Sequence, residues 1–303
     1  MYLLFNVVLP VFVIAGLGIF ARLWLDVDIE SLSRVAFRIF IPALVFEALL
    51  NSTFSAAEFG SMALAVALLS AILFLIGLAA ARILNLSAGL RGALVITLVL
   101  ANVGAYGLPV LSFARGEEVV VPGSIYIIVF NALLITLSSV YLATLAKSSA
   151  RTVIGRVVKN PVIYAALLGV IARLTGIIVP ETVIQIVDLL GDAGTPVLLL
   201  VLGMQLIESV RGEWRAHQIP ALIVIVVVRL MLAPLLALLL ADWLALPDLF
   251  RFAFVIDSAM PSAILTTVLA MEFEADASFV SLAVFTTTLL SLLTVTLWLH
   301  WML

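Results

Sequence analysis

The sequence predicts an all-α membrane protein that crosses the bilayer about ten times. Hydrophobic residues make up 65% of its 303 residues and charged residues only 11%, whereas a soluble domain is about half apolar and about one-quarter charged. So little polar surface could not cover a soluble core of this size. The apolar runs are also continuous, which excludes a transmembrane β-barrel, because its strands alternate apolar and polar residues.

Ten stretches approach the ~20 apolar residues that a transmembrane helix needs. In chain order these predicted spans, numbered 1 to 10, lie near residues 3–24, 31–50, 58–81, 91–114, 121–146, 160–179, 183–207, 218–241, 249–271 and 277–301. The longest charged link, 147–159, divides the chain into an N-terminal five-helix half (1–146) and a C-terminal five-helix half (160–303). No link is long enough for a soluble catalytic or nucleotide-binding domain.

The positions of lysine and arginine predict the orientation, because cytoplasmic loops carry an excess of these residues. Eleven of the 15 lie in the links after odd-numbered spans or just inside the adjoining span ends, three lie on the opposite side, and Arg229 lies within span 8. Both termini are therefore expected outside, in a multi-pass protein of the cell (inner) membrane. The net charge of −3 does not indicate a nucleic-acid partner, and the absence of cysteine excludes thiolate metal sites.

The two halves share a spacing of charge, charge and proline. It occurs at residues 34–42 in span 2 and at 188–196 in span 7, an offset of 154 residues. Spans 4 and 9 also correspond, since polar and small residues precede a proline at 101–109 and at 257–262. Five spans per half would give the halves opposite orientations. Inverted repeats with broken helices in matching positions are typical of secondary transporters.

Span 4 contains the first candidate site. Gly104, Gly107 and Pro109 oppose helix formation within six residues, and freed backbone groups at membrane depth occur only within protein or beside a watery cavity. The amide of Asn102 and the N-terminus of the following half-helix suit the oxygens of an anion. We therefore expect a substrate site that includes Tyr106 with Asn102, Gly104 and Pro109. Close helix packing through small residues is the alternative.

Span 9 contains the second candidate site, at Asp257, Ser258, Pro261 and Ser262. A carboxylate is expensive in lipid, so Asp257 should face a cavity or a cation. It is a candidate to bind a proton or sodium, or to pair with Arg229 in a structural ion pair. The two serines can satisfy the hydrogen bonds freed by Pro261. No other metal and no cofactor are expected.

Four further polar residues within the spans are candidates for a functional role. Arg229 must be paired or hydrated, so it either binds an anionic substrate or neutralises Asp257 or Glu47. Glu47 in span 2 and Gln205 in span 7 are candidates for ion coupling or charge pairing. Asn131 in span 5 either lines the cavity or makes a hydrogen bond between helices.

Four segments carry a family resemblance. They lie in order at 41–46 (Ile-Pro-Ala-Leu-Val-Phe), 102–109 (Asn-Val-Gly-Ala-Tyr-Gly-Leu-Pro), 191–196 (Gly-Asp-Ala-Gly-Thr-Pro, followed by Gly203) and 259–263 (Ala-Met-Pro-Ser-Ala). With them the whole chain resembles the auxin efflux carrier family, which includes plant PIN proteins and bacterial permeases of the malonate-transporter type.

The resemblance implies a fold like that of the sodium/bile-acid symporters. Spans 1, 2, 6 and 7 would form a scaffold domain, and spans 3–5 and 8–10 a transporter domain in which broken spans 4 and 9 cross. It also implies elevator-type alternating access, a homodimer, and auxin-like or mono- and dicarboxylate anions bound at the crossover by Asn102. Plant PIN proteins have a long central loop with phosphorylation sites, so the short link at 147–159 argues against that regulation here.

Other classes of function are less compatible with the sequence. Intramembrane aspartyl proteases need Gly-x-Gly-Asp, and residues 189–192 read Leu-Leu-Gly-Asp. His217 and His300 lie at predicted membrane edges, where neither serves as a rhomboid-type base. No Walker motif is present for an ATP-driven pump. We therefore expect no enzyme, while a channel or a transporter-like membrane receptor or sensor stays open as an alternative.

Overall fold

The computed structural model describes residues 4–51, 55–130, 134–146, 161–209 and 216–303, and these residues are almost entirely helical. Asn131 and the link at 147–159 lie outside the described residues. Fifteen α-helices lie in the described ranges. In chain order they are α1 (Leu9–Trp24), α2 (Ile29–Val35), α3 (Ile41–Leu50), α4 (Ala56–Ile83), α5 (Ala88–Val99), α6 (Leu108–Arg115), α7 (Val120–Val129), α8 (Ile135–Leu145), α9 (Pro161–Thr175), α10 (Glu181–Ser209), α11 (Ile219–Val227), α12 (Ala233–Trp243), α13 (Asp248–Ser258), α14 (Leu265–Glu272) and α15 (Ala277–Met302). The predicted all-α class is confirmed.

Four helical stretches of the described chain are long and apolar enough to cross a membrane. They are Ala56–Ile83, Glu181–Ile207, Ala216–Trp243 and Ala277–Met302. They coincide with predicted spans 3, 7, 8 and 10. The other predicted spans contain shorter helices, and two of these spans, 4 and 9, are interrupted between α5 and α6 and between α13 and α14.

Helix α15 exposes apolar side chains and buries polar ones among its inward-facing residues. Leu289, Leu293 and Leu297 repeat every four residues along one face, and each is more than half exposed. The side chains of Thr287 and Ser291 are fully buried. A water-soluble helix has the opposite arrangement, so the surface of α15 fits contact with lipid. Together with the four long apolar helices, this supports a membrane protein.

Prolines explain where the helices change geometry. Four five-residue turns of wider, π-type helix occur in the described chain, at Leu4–Val8, Ala36–Phe40, Val103–Gly107 and Val228–Leu232, and a proline follows each after one residue. Proline has no N–H, and its ring clashes with the carbonyl four residues earlier. A locally wider turn relieves that clash. Pro196 differs from its repeat counterpart Pro42, because it lies inside the uninterrupted helix α10.

The helices pack in two groups. In the first, α1 packs against α10, and α3 packs against α9 and α10. In the second, α4 packs against α5, α7 and α12, while α13 packs against α12 and α7. Helix α10 also contacts the π-type turn Val103–Gly107, which joins the two groups beside the break in span 4.

Two glycines allow α1 and α10 to touch through their backbones. A β-carbon at Gly18 would overlap the carbonyl oxygen of Leu200, and one at Gly203 would overlap the carbonyl oxygen of Ala15. Small residues at such contacts allow close packing of membrane helices.

We expect Gly18→Ala to lower the free energy of unfolding by about 1–3 kcal/mol, because the added methyl group forces the two backbones apart. Thermal unfolding of the purified protein in detergent measures this. Gly16→Ala is the matched control on the same helix, since a β-carbon there meets nothing within 4 Å. Equal stability of the two variants would contradict the backbone contact.

Candidate functional site

The two helix breaks lie against each other and share backbone hydrogen bonds. The backbone N–H of Asn102 donates to the carbonyl of Pro261 at 2.8 Å, and the N–H of Ala263 donates to the carbonyl of Leu100 at 2.8 Å. Ala101 and Ser262 stand opposite each other in this short antiparallel bridge. The breaks predicted in spans 4 and 9 therefore meet, and each break supplies partners for backbone groups that the other leaves free.

Side chains satisfy further backbone groups at the crossover. The Ser262 hydroxyl donates to the carbonyl of Thr97 at 2.9 Å, and the Ser262 N–H donates to the Thr287 hydroxyl of α15 at 3.3 Å. A buried peptide group without a partner costs as much as a lost hydrogen bond. The hydroxyls on these helices therefore stabilise the broken conformation.

Arg229 is fully buried at the same place. Its Nε donates to the carbonyl of Met260 at 3.1 Å and its Nη1 to that of Leu98 at 2.9 Å, while Nη2 donates to the carbonyl of Ser258. The expected alternatives were a substrate anion or a carboxylate. The guanidinium instead binds three backbone carbonyls, which belong to both broken helices.

Asp257 is buried beside the crossover without a hydrogen-bond partner for either carboxylate oxygen. Its Oδ1 lies so close to Gly107 that a β-carbon there would overlap it, and a β-carbon at Gly123 of α7 would lie 3.7 Å from Oδ2. The pairing considered between Asp257 and Arg229 does not form in this conformation. The carboxylate instead occupies space that two glycines leave open, where a proton or a small cation can satisfy it.

Asn102 and Tyr106 differ in their hydrogen bonding. The Asn102 side chain is 6% exposed, and its Nδ2 has no hydrogen-bond partner. The Tyr106 hydroxyl accepts a hydrogen bond from Ser291 at 3.1 Å, and its ring lies perpendicular to that of Phe12, with 5.9 Å between the ring centres. In this conformation Asn102 therefore has an unused donor, whereas the polar atom of Tyr106 is engaged.

The remaining predicted site residues of spans 4 and 9 lie in or beside the two breaks. Pro109 is buried in the first turn of α6, and Gly104 lies in the π-type turn near Ile41 of the first helix group. Ser258 and Pro261 contribute carbonyls to the contacts described above. The expected role of the two serines holds for the Ser262 hydroxyl, whereas the Ser258 hydroxyl makes no hydrogen bond to a backbone group.

Glu47 and Gln205 lie away from the crossover. The charged neighbours of Glu47 are Asp188, Asp192 and Glu117. Glu47 also lines a cleft of about 790 Å³, together with Asn51 and four further carboxylates, Glu58, Glu117, Glu118 and Asp248. The Nε2 of Gln205 donates to the Ser33 hydroxyl at 3.4 Å, which links α10 to α2.

Several residues of the site were not anticipated from the sequence. Thr287 and Ser291 of α15 form hydrogen bonds with Ser262 and Tyr106, respectively. Their four-residue spacing places both hydroxyls on one face of an apolar helix, which could have indicated their role. The close approach of Gly123 to Asp257 had no such signal, because it depends on how α7 packs against α13.

Discontinuous helices whose breaks meet inside an apolar helical protein are typical of membrane transporters. Comparison with known proteins also indicates a membrane transporter. The chain belongs to the auxin efflux carrier family, described as "Membrane transport protein", which matches it at residues 3–155 and 144–299.

Two archaeal relatives are similar over most of their length, and each is described as an uncharacterized transporter. One, from Methanothermobacter thermautotrophicus, is 28% identical over 273 residues, which cover 89% of this chain and 88% of the relative. The other, from Methanocaldococcus jannaschii, is 24% identical over 303 residues, which cover 97% of each protein.

The contact between Gly107 and Asp257 is testable by substitution. We expect Gly107→Ala to lower the free energy of unfolding by about 1–3 kcal/mol, because its methyl group would overlap Asp257 Oδ1. Gly104→Ala in the same turn is the control, since its β-carbon would make an ordinary contact, 3.7 Å from Ile41 Cδ1. Thermal unfolding gives both values. In an Asp257→Ala background Gly107→Ala should cost less, and strictly additive costs would contradict the contact.

Proposed function

We propose that the protein is a secondary transporter for a small organic anion, which binds at the crossover of the two broken helices. The observation that carries this proposal is the buried and unpartnered amide of Asn102 beside the paired breaks. The site would comprise Asn102, Gly104, Tyr106 and Pro109 of span 4 with Ser258, Pro261 and Ser262 of span 9. Asn131 remains a candidate to line it.

Electrostatics at the crossover favour an anion. Helices α6 and α14 begin just beyond the breaks, and helix N-termini carry about half a positive charge. The C-terminal ends of α5 and α13 meet at the same place, but Arg229 binds their carbonyls, so their partial negative charges do not oppose an anion. The family resemblance points to auxin-like compounds or mono- and dicarboxylates as substrates.

An elevator mechanism fits the two helix groups. The close packing of α1, α3, α9 and α10 supports their assignment as a scaffold, against which the remaining helices would move with the substrate. Helices α5 and α13 have 12 and 11 residues, or about 17–18 Å at 1.5 Å per residue. Each would cross about half of a ~30 Å hydrocarbon core, as expected of half-helices in a 5+5 inverted repeat.

The same proposal includes the membrane topology and the assembly. Ten crossings of the cell (inner) membrane with both termini outside follow from the hydropathy and the distribution of lysine and arginine. A homodimer is proposed from the family resemblance. No nucleic-acid partner and no catalytic activity are part of the proposal.

A channel or a transporter-like receptor is the alternative function. Counterflow in proteoliposomes distinguishes them, because unlabelled substrate on one side accelerates the entry of labelled substrate only through a carrier. Malonate and indole-3-acetate serve as the dicarboxylate and aromatic monocarboxylate probes. A thermal-shift screen of carboxylates extends the search if neither binds.

We expect Asn102→Ala to weaken anion binding about 10- to 100-fold, since a hydrogen bond to a charged group contributes about 1.5–3 kcal/mol. Isothermal titration of the purified protein measures the affinity, and the thermal unfolding temperature checks that the variant is folded. Asn51→Ala is the control, because Asn51 lines the acidic cleft away from the crossover. Unchanged affinity in Asn102→Ala, or an equal loss in Asn51→Ala, would reject the site.

Asp257 is the proposed coupling residue, with a proton or sodium as the ion. We expect Asp257→Asn to abolish accumulation driven by an ion gradient and to retain counterflow, because the amide replaces the carboxylate without its charge. Uptake into proteoliposomes under a pH gradient and under a sodium gradient identifies the ion. If transport by the unmodified protein ignores both gradients, Asp257 is structural and the carrier is a uniporter or an exchanger.

A further inference from the structure

Arg229 binds the C-terminal ends of two half-helices at once. Leu98 lies in the last turn of α5, Ser258 is the last residue of α13, and Met260 follows it in the break. All three carbonyls accept hydrogen bonds from the one guanidinium. In a continuous helix each carbonyl would accept from the N–H four residues later. At the breaks that N–H is diverted, as the Asn102 N–H is to Pro261.

The charge of Arg229 matters as much as its hydrogen bonds. The C-terminus of a helix carries about half a negative charge, and two such ends meet here inside the protein. Their repulsion is weakly screened in a low-dielectric interior. A guanidinium is always charged and presents several donors in a rigid plane, so one side chain can neutralise and join both ends. The compact ammonium of a lysine has no comparable planar fork.

The helix that carries Arg229 is itself held in place. Arg229 lies in the π-type turn Val228–Leu232, before Pro234. Pro234 has no N–H to donate to the carbonyl of Leu230, and the indole Nε1 of Trp298 in α15 donates to that carbonyl instead, at 3.0 Å. The hydroxyl of Tyr126 on α7 lies beside the guanidinium. Arg229 is thus fixed from outside the two helices that it joins.

We propose that Arg229 is a positioning residue that holds the two helix breaks in register and is not a ligand of the transported anion. This inference concerns the same site as the proposed function. The claim that Arg229 affects anion binding rests on that function. The claim that Arg229 holds the breaks in register does not, because the register can be measured without any substrate.

Cysteine cross-linking measures the register of the breaks. The chain has no cysteine of its own, so Ala101→Cys with Ser262→Cys introduces a single pair. The two positions face each other in the antiparallel bridge, without hydrogen bonds between them, where Cα atoms stand about 4.5 Å apart and a disulfide fits. Copper phenanthroline serves as the membrane-permeant oxidant, and the rate of cross-linking is followed by mass spectrometry.

In this cysteine-pair background we expect Arg229→Met to slow cross-linking several-fold and Arg229→Lys to have an intermediate effect. Arg251→Met is the matched control and should leave the rate unchanged, since Arg251 pairs with Asp242 at the half-exposed surface of the same helix group. If Arg229→Met does not fold, Arg229→Lys carries the test, because it keeps the charge and loses the planar fork. An unchanged rate in the folded Arg229 variants would overturn the proposal.

Binding of malonate or indole-3-acetate provides the second readout. Because Ser262 belongs to the proposed site, the reference is the reduced cysteine-pair protein that keeps Arg229. Relative to it we expect weaker binding in the reduced Arg229→Lys cysteine-pair protein and recovery after the disulfide forms, because the covalent bond replaces the lost positioning. Loss of binding with an unchanged cross-linking rate, or without recovery after oxidation, would instead make Arg229 a ligand. If neither probe binds the unmodified protein, that failure belongs to the proposed substrate class, and the cross-linking rate still decides the role of Arg229.

Discussion

Backbone hydrogen bonds between the two helix breaks are the interaction on which the rest of the site depends. A helix in an apolar environment satisfies its own peptide groups, and any interruption leaves donors and acceptors that lipid cannot satisfy. Here the breaks in spans 4 and 9 lie side by side, so the N–H of Asn102 reaches the carbonyl of Pro261 and the N–H of Ala263 reaches that of Leu100. Each break thus stabilises the other by supplying a hydrogen-bond partner for its free backbone groups.

Surrounding polar side chains also bond to the breaks, but the side chains of two predicted site residues take no part in these hydrogen bonds. Ser262, Thr287 and Arg229 bond to backbone groups at the breaks. The amide of Asn102 and the carboxylate of Asp257 have no such partner. Because buried polar groups are normally satisfied, these two groups of opposite hydrogen-bonding character are the reason that we propose an anion at Asn102 and a cation or proton at Asp257.

Much of this arrangement was predictable from local sequence. The positions of the helices follow from apolar runs of suitable length, and the breaks follow from glycine and proline, which weaken any helix. The choice of Asn102 and Asp257 as important residues rested on the cost of placing polar groups in lipid. The partners of Arg229 were not predictable, because carbonyl oxygens have no residue-specific signature and any residue supplies one. The sequence instead suggested carboxylates, which are the partners that charge alone indicates.

The sequence by itself determined that this is a helical membrane protein, roughly where its apolar helices lie, and that glycine and proline interrupt spans 4 and 9. These features depend on the hydropathy and backbone preferences of neighbouring residues, so they can be read within a short window. Only the tertiary structure decided which freed groups pair. Thr97 and Ser262 are 165 positions apart, and Gly107 and Gly123 make room for Asp257 only because three separate helices meet there. Such contacts depend on how whole helices pack, which no local pattern encodes.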